Sequence, residues 1–159
     1  MGLENYNEAV GIITKNPSKG YFAGPRSEAL IRLAEQTLGF QFFGTYRHFL
    51  ANYGAGNFGA QEIYGVISDD FENSSVPDAI WYTITERKEI GLPLNLLVIY
   101  DTGNGEIFCL DFKQVNKENE PTVVSFVPGV DLEKQTYEKI ADDFGDFLLD
   151  LVNQEIDWN

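Results

Sequence analysis

The chain has almost none of the residues on which most catalytic and metal chemistry is built. Its 159 residues include one cysteine, Cys109, and one histidine, His48. A lone cysteine excludes an intramolecular disulfide and a cysteine-built zinc site. With one histidine beside it, nucleophilic triads and the common zinc sites have few ways to form. Cations are scarce as well: 11 Lys and Arg stand against 25 Asp and Glu, for a formal net charge of −14. Such a chain is repelled by phosphate backbones and anionic lipid headgroups, so nucleic acid and membranes are poor partners. A basic protein is a good one, although the same acidity also serves plain solubility. Long apolar runs are missing too, and the longest, around Leu94–Tyr100, is far too short to span a bilayer. The opening MGLENYNEAVG has no basic n-region and no unbroken apolar stretch, so a secretory signal is not expected and the cytoplasm is the expected location. Without secretion, the sequon Asn73-Ser74-Ser75 has no meaning.

What the chain does have is apolar and aromatic bulk. Hydrophobic residues make up 43% and aromatics 14%, with 12 Phe, 8 Tyr and 2 Trp, which marks a globular chain and leaves rings to spare for a contact surface. The length suits one domain over residues 1–159, burying roughly 68–70% of its unfolded surface without metal or disulfide staples.

Periodicity divides the chain into helices, then strands, then a helix. Leu3, Tyr6, Val10 and Ile13 predict a short helix that stops near Asn16-Pro17. Gly20–Pro25 reads as a loop. Ser27 is a good N-cap, with Glu28 favourably placed in the first turn, for a helix with the stripe Leu30, Ile31, Ala34 and Leu38 that ends at Gly39. Tyr46, Phe49, Leu50 and Tyr53 predict a third helix closed by Gly54. Glu62–Ile67 reads as a strand, and Ser68–Ser75 as an acidic loop. Ser75 and Asp78 look like a capping signature, with Pro77 in the first turn of a helix running to about Ile90. In that helix Ile80, Trp81 and Ile84 are expected inward. Leu96–Tyr100 and Ile107–Phe112 form a hairpin around DTGNGE, a polar connection spans Val115–Glu120, and Pro121–Val127 adds a third meander strand. Tyr137, Ile140, Phe144, Phe147, Leu148 and Leu151 predict a long closing helix, with the run Asp142-Asp143…Asp146 on its solvated face. The fold class is therefore α+β: an antiparallel β-meander sheet with N-terminal helices and a C-terminal helix.

Several motifs tempt and fail. Gly54-Ala55-Gly56-Asn57-Phe58-Gly59 matches G-x-G-x-x-G, but a dinucleotide loop joins a strand to a helix, and here a helix comes first. Asp101–Glu106 looks like a calcium loop, yet loop positions three and five are glycines and position twelve is Phe112. His48 lies on a helix without a recognisable nucleophile or orienting carboxylate, and reads as a surface or half-buried histidine. Cys109 lies in an apolar strand and reads as a small core residue. Paired acids can hydrolyse glycosides, but among 25 carboxylates some close pair arises by chance, and no motif selects one. No cofactor, no metal site and no catalytic residue are expected.

Over about Ser27 to Val152 the order of segments resembles the SUKH superfamily, the Smi/Knr-type domain. The residues that carry the likeness are Glu28 and Glu35, then Tyr46, Phe49-Leu50 and Tyr53-Gly54, then the hairpin ending Cys109-Leu110-Asp111. Pro121, Val123-Val124 and the terminal Ala141-Asp142-Asp143-Phe144…Phe147-Leu148 complete it. Two positions depart from the family pattern: Gly44 stands where a proline is usual, and Phe126 where a tryptophan is common. The resemblance implies a non-catalytic protein, in its bacterial branch an immunity protein that binds and neutralises a cognate polymorphic toxin, often a nuclease. An acidic inhibitor would meet a basic toxin groove, with attraction speeding encounter and aromatic anchors holding the complex. The candidate surface is Asp69, Asp70, Glu72 and Asp78 in and beside the acidic loop, Asp101 and Glu106 at the hairpin, and Tyr64 and Tyr82 as aromatic anchors. A scaffold domain with a regulatory partner is the alternative, and a carboxylate-based hydrolase a third.

Overall fold

The computed structural model describes residues 2–156. Helix α1 (Gly2–Lys15) buries Gly2, Tyr6, Ala9 and Ile13, a stripe at helical spacing. Leu3, expected on that stripe, is instead 64% exposed. A strand β1 (Gly20–Phe22) then forms where a loop was expected, because it pairs antiparallel with β2 (Gly56–Phe58), which in turn pairs with β3 (Gln61–Ile63). Three-residue strands carry no readable period, so only the pairing reveals them.

Helix α2 (Glu28–Leu38) starts as the sequence predicts. Ser27 Oγ accepts from Leu30 N at 3.1 Å, and Gly39 closes the helix in the left-handed region with its N–H on Glu35 O. Helix α3 (Gly44–Asn52) buries Tyr46, Phe49 and Leu50, but its own N-cap residue, Phe43, supplies no side-chain cap. The cap comes from 75 positions downstream, where Glu120 Oε1 accepts from Thr45 N at 2.8 Å and Thr45 Oγ1 at 2.6 Å. Gly44 permits this approach. Its φ is +61°, closed to proline, and a Cβ there would lie 2.6 Å from the Glu120 carboxyl. The family departure at 44 thus has a local physical reason.

The strand expected over Glu62–Ile67 is shorter than its apolar character suggests. After Ile63 the backbone changes partners: Tyr64 N donates to Ile99 O, Gly65 N to Pro77 O and Val66 N to Gly54 O. Helix α4 (Ala79–Ile90) is capped by Asp78, whose Oδ1 accepts from Ile80 N and Trp81 N, so Pro77 precedes the cap and does not occupy the first turn. Its buried stripe is Ala79, Ile80 and Thr83, while Trp81 and Ile84 are only half-buried.

The meander is β4 (Leu96–Asp101), β5 (Ile107–Val115) and β6 (Pro121–Phe126), extended by β7 (Lys139–Ala141) into a four-stranded antiparallel sheet in that order. Phe108 and Cys109 alternate across it. Phe108 meets Phe147 of the closing helix α5 (Phe144–Gln154), and Cys109 points to the other face. The closing helix is shorter than predicted, since Ile140 belongs to β7 and Asp143 caps α5 by accepting from Asp146 N at 2.9 Å. Asp143 is accordingly buried, which corrects the reading of the whole acidic run as a solvated face. At the crossing of α1 and α5, a Cβ on Gly145 would come within 2.1 Å of Gly2 O, so the two backbones touch only because residue 145 is glycine.

Buried residues from all five helices and the meander form one apolar cluster. At its centre Phe144 packs against Tyr46 and Phe49, with ring centroids 5.0 and 5.3 Å away, and against Tyr6. Phe126, the position where tryptophan is common in relatives, is buried beside Tyr137. Truncation of Phe144 to alanine is expected to cost about 3–5 kcal/mol in urea unfolding, since the ring joins three elements and leaves a cavity. Leu33→Ala, on the exposed side of α2, should stay within about 0.5 kcal/mol of the parent.

Candidate partner-binding face

Helix α4 divides the candidate residues into two groups. Tyr82, Glu86 and Glu89 recur along one flank of its buried stripe, and Ile84, Arg87 and Lys88 along the other. The first flank faces the end of β4. There the Tyr82 hydroxyl donates to Asp101 Oδ2 at 3.0 Å, and the Tyr82 ring packs on Tyr64 at 5.5 Å between centroids. Asp101 Oδ1 accepts from Gly103 N at 2.8 Å, which fixes the carboxylate at the hairpin turn.

Glu62 on β3 and Glu86 on α4 join this group. Burial pushes both carboxyls above the ordinary glutamate value, with Asp101 adding to Glu62, and Glu89 then Asp101 adding to Glu86. The phenols of Tyr64, Tyr82 and Tyr100 are likewise raised, by burial first and with a contribution from Asp101 in each case. Among the described residues, the ion pairs take up Glu28, Glu35, Asp131 and Asp142, and none involves Glu62, Glu86 or Asp101. The half-buried Glu62 and Glu86 and the exposed Asp101 thus share a tyrosine-floored surface, with no ion pair to any of them among the described residues.

The acidic loop lies on the other flank. Asp69, Asp70 and Glu72 are exposed and, with Leu33, Ile84 and Arg87, border a groove of about 680 Å³ between α2 and α4. Asp70 is held below the ordinary aspartate value because its carboxylate accepts from the backbone of Asn73 and Glu72. Its charge organises its own loop.

Three expected surface residues do other work. Asp78 is wholly buried as the cap of α4, where burial outweighs the amide hydrogen bonds and raises its pKa. Tyr64 is 3% exposed, so it supports Tyr82 from beneath and offers no free ring. Glu106 is half-buried and accepts a hydrogen bond from Ser125 Oγ. Of the eight candidates, the fold therefore brings together Asp101, Tyr82 and, as their support, Tyr64. Sequence reasoning missed Glu62 and Glu86. The i,i+4 spacing of Tyr82 and Glu86 was a usable signal, whereas Glu62 needed the pairing of β3.

The lone histidine and cysteine are placed as the sequence suggests. His48 is exposed, its Nδ1 hydrogen-bonded to Tyr6 OH at 2.7 Å. Cys109 is fully buried, with its thiol pushed up by burial. Among the described residues, no group of three or more His, Cys, Asp and Glu side chains is placed to hold a metal ion. No helix among them is long and apolar enough to cross a membrane.

The family motif also acquires a geometry. Arg47 of α3 bridges Glu28 and, at 3.0 Å, Glu35, so the two glutamates named by the resemblance clamp α2 to α3. A family model described as SMI1-KNR4 cell-wall, of the group SUKH_5, matches residues 3–153. The chain belongs to the SUKH superfamily. The match extends the resemblance to include α1, which the family motifs alone did not reach. The α+β architecture described above is that of a SUKH domain. A search of curated protein sequences finds no match.

The raised carboxyls of this SUKH chain lead to a stability prediction. Glu62 and Glu86 have folded pKa values above their unfolded ones, so the unfolded chain loses these protons first as pH rises. Their contribution to stability therefore falls as pH climbs from the unfolded to the folded pKa. Glu86→Gln should raise the melting temperature at neutral pH. The gain should vanish at about pH 3, below the ordinary glutamate value of ~4.3, in a calorimetric pH series.

Proposed function

We propose that this chain is a non-catalytic, cytoplasmic immunity protein that binds and neutralises a cognate basic toxin, with a nuclease as the favoured class. The observation that carries the reading is the surface formed by Glu62, Glu86 and Asp101 around Tyr82, where like charges lie together with no ion-pair partner among the described residues. Repulsion within the free surface becomes attraction when a partner brings lysine or arginine, and the tyrosine supplies an anchor at its centre. Family membership agrees with this role, since it needs no catalytic residue. The placements of His48 and Cys109 agree too: one is bonded to a tyrosine, the other sealed in the core. The loop acids Asp69, Asp70 and Glu72 would add long-range steering from the far side of α4.

The matching family's description mentions the cell wall, which favours a second reading: an interaction module with a non-toxin regulatory partner. A tagged pull-down eluted in steps of rising salt, read by mass spectrometry, separates the two. A basic toxin domain released only at high salt is the outcome expected for immunity, and a housekeeping partner is the outcome expected for the module. With the purified partner, Glu62→Lys, Glu86→Lys and Asp101→Lys combined should slow association by about one to two orders of magnitude at low salt. Tyr82→Ala should cost about 2 kcal/mol or more, chiefly through faster dissociation. Unchanged kinetics in both variants would sink the face assignment.

A further inference from the structure

A second site lies on the opposite part of the acidic inventory, around the carboxylate of Glu120. That side chain is 6% exposed, and its Oε1 is fully engaged in capping α3 through Thr45 N and Thr45 Oγ1. A carboxylate offers about four acceptor positions, two on each oxygen. Among the described residues, nothing donates to Oε2, and no ion pair reaches Glu120. Glu120 also borders a surface beside the start of α1. That surface is a groove of about 690 Å³ between the start of α1 and the start of α3, within the ~300–1,000 Å³ range of ligand clefts.

The groove is apolar along its walls and acidic at its ends. Leu3, 64% exposed, and Tyr6 form one side, and Gly44 with His48 the other. Glu4 and Glu118 stand exposed at the rim. The wall at Gly44 stays open because a side chain there would strike Glu120. An anionic oxygen in an apolar cleft, ringed by two more carboxylates, is complementary to a cation on an aliphatic stem.

We infer that this groove receives the arginine or lysine side chain of a basic protein partner, with the charged head on Glu120 Oε2 and the stem along Leu3 and Tyr6. The inference is separate from the Tyr82 face and holds whether that partner is a toxin or a regulator. An arginine would also offer more than one donor to the free oxygen and the rim. The charge of Glu120 helps to raise the nearby Asp143 carboxyl, so a bound cation relieves a second buried acid.

The probe is the capped peptide acetyl-Gly-Arg-Gly-amide, titrated into the isotopically labelled full chain and followed by amide chemical shifts. Its neutral counterpart carries citrulline in place of arginine. The expected result is saturable shifts at Gly44, Thr45, His48 and Glu120. Binding should be weaker by roughly tenfold or more for the citrulline peptide, and for Glu120→Gln, the loss of one charged hydrogen bond. Because Glu120 also caps α3, the melting temperature of the variant is measured alongside. Should E120Q fail to fold, Leu3→Arg, at an exposed position, is expected to occupy the groove and abolish peptide binding. Equal shifts with both peptides, shifts centred on Glu62, Glu86 and Asp101, or undiminished binding in E120Q or L3R would each overturn the assignment.

Discussion

The structure depends on how a chain with far more acids than bases keeps its buried carboxylates satisfied. With 25 acids and 11 bases there are not enough cations to pair them, and backbone amides take their place. Asp78 caps α4, Asp143 caps α5 and Glu120 caps α3, each accepting from N–H groups that the helix itself cannot satisfy. Glu155 does the same for the β2–β3 turn by accepting from Ala60 N. These acids are structural because they sit at helix starts and turns, where donors are in surplus. Among the described residues, the least exposed ion pair joins Arg47 to Glu35, whose carboxylate also accepts from Phe42 N. The starts of α3, α4 and α5 and the α2–α3 clamp are fixed by these contacts.

The remaining acids divide by what surrounds them. Those of the 69–72 loop are exposed and partly committed to their own backbone. Glu62 and Glu86 are half-buried near the tyrosines, where burial first raises both carboxyls, followed by the Asp101 charge at Glu62 and by Glu89 and then Asp101 at Glu86. Solvent screens an exposed carboxylate heavily, and such a charge adds little beyond steering. The half-buried Glu62 and Glu86 are screened less, so each exerts a stronger and more local field than an exposed acid. This contrast is why the Tyr82 surface is proposed ahead of the loop as the contact site, although the loop holds the more conspicuous run of acids in the sequence.

Much of this was legible in the sequence, and the illegible parts share a cause. The caps at Ser27 and Gly39 and the strands Leu96–Tyr100 and Ile107–Phe112 are local, set by residues within a turn or a hairpin. They read correctly. The errors came where distant partners decide. Strand β1 exists because residues more than thirty positions away pair with it. Ile140 matched the helical spacing of Phe144, yet pairing of β7 with β6 and the extended backbone of Asp143 interrupt the pattern. Asp78 reads both as part of a capping signature and as a surface acid, and only the first holds, since as the cap of α4 it is wholly buried. Tyr64 looked like a free ring because the edge of β4 that covers its backbone lies 35 positions on. Composition predicted an acidic surface, but only the fold could sort capping carboxylates from crowded ones.

The pair Gly44 and Glu120 shows how such sorting constrains sequence. Each looks ordinary alone: a glycine before a helix, and a glutamate at the end of a polar connection. In the fold, the positive φ at 44 and the missing Cβ give Glu120 room to reach Thr45, and Glu120 supplies the cap that Phe43 cannot. A proline at 44 would satisfy the helix start in the usual way for the family, but it would exclude the φ observed here and crowd the carboxylate. The two positions are therefore coupled. Exchange of either alone removes a cap or creates a clash, whereas exchange of both would restore a helix start without a buried acid. The opening beside Glu120 is a consequence of that choice, since the glycine that admits the cap also leaves the groove wall bare.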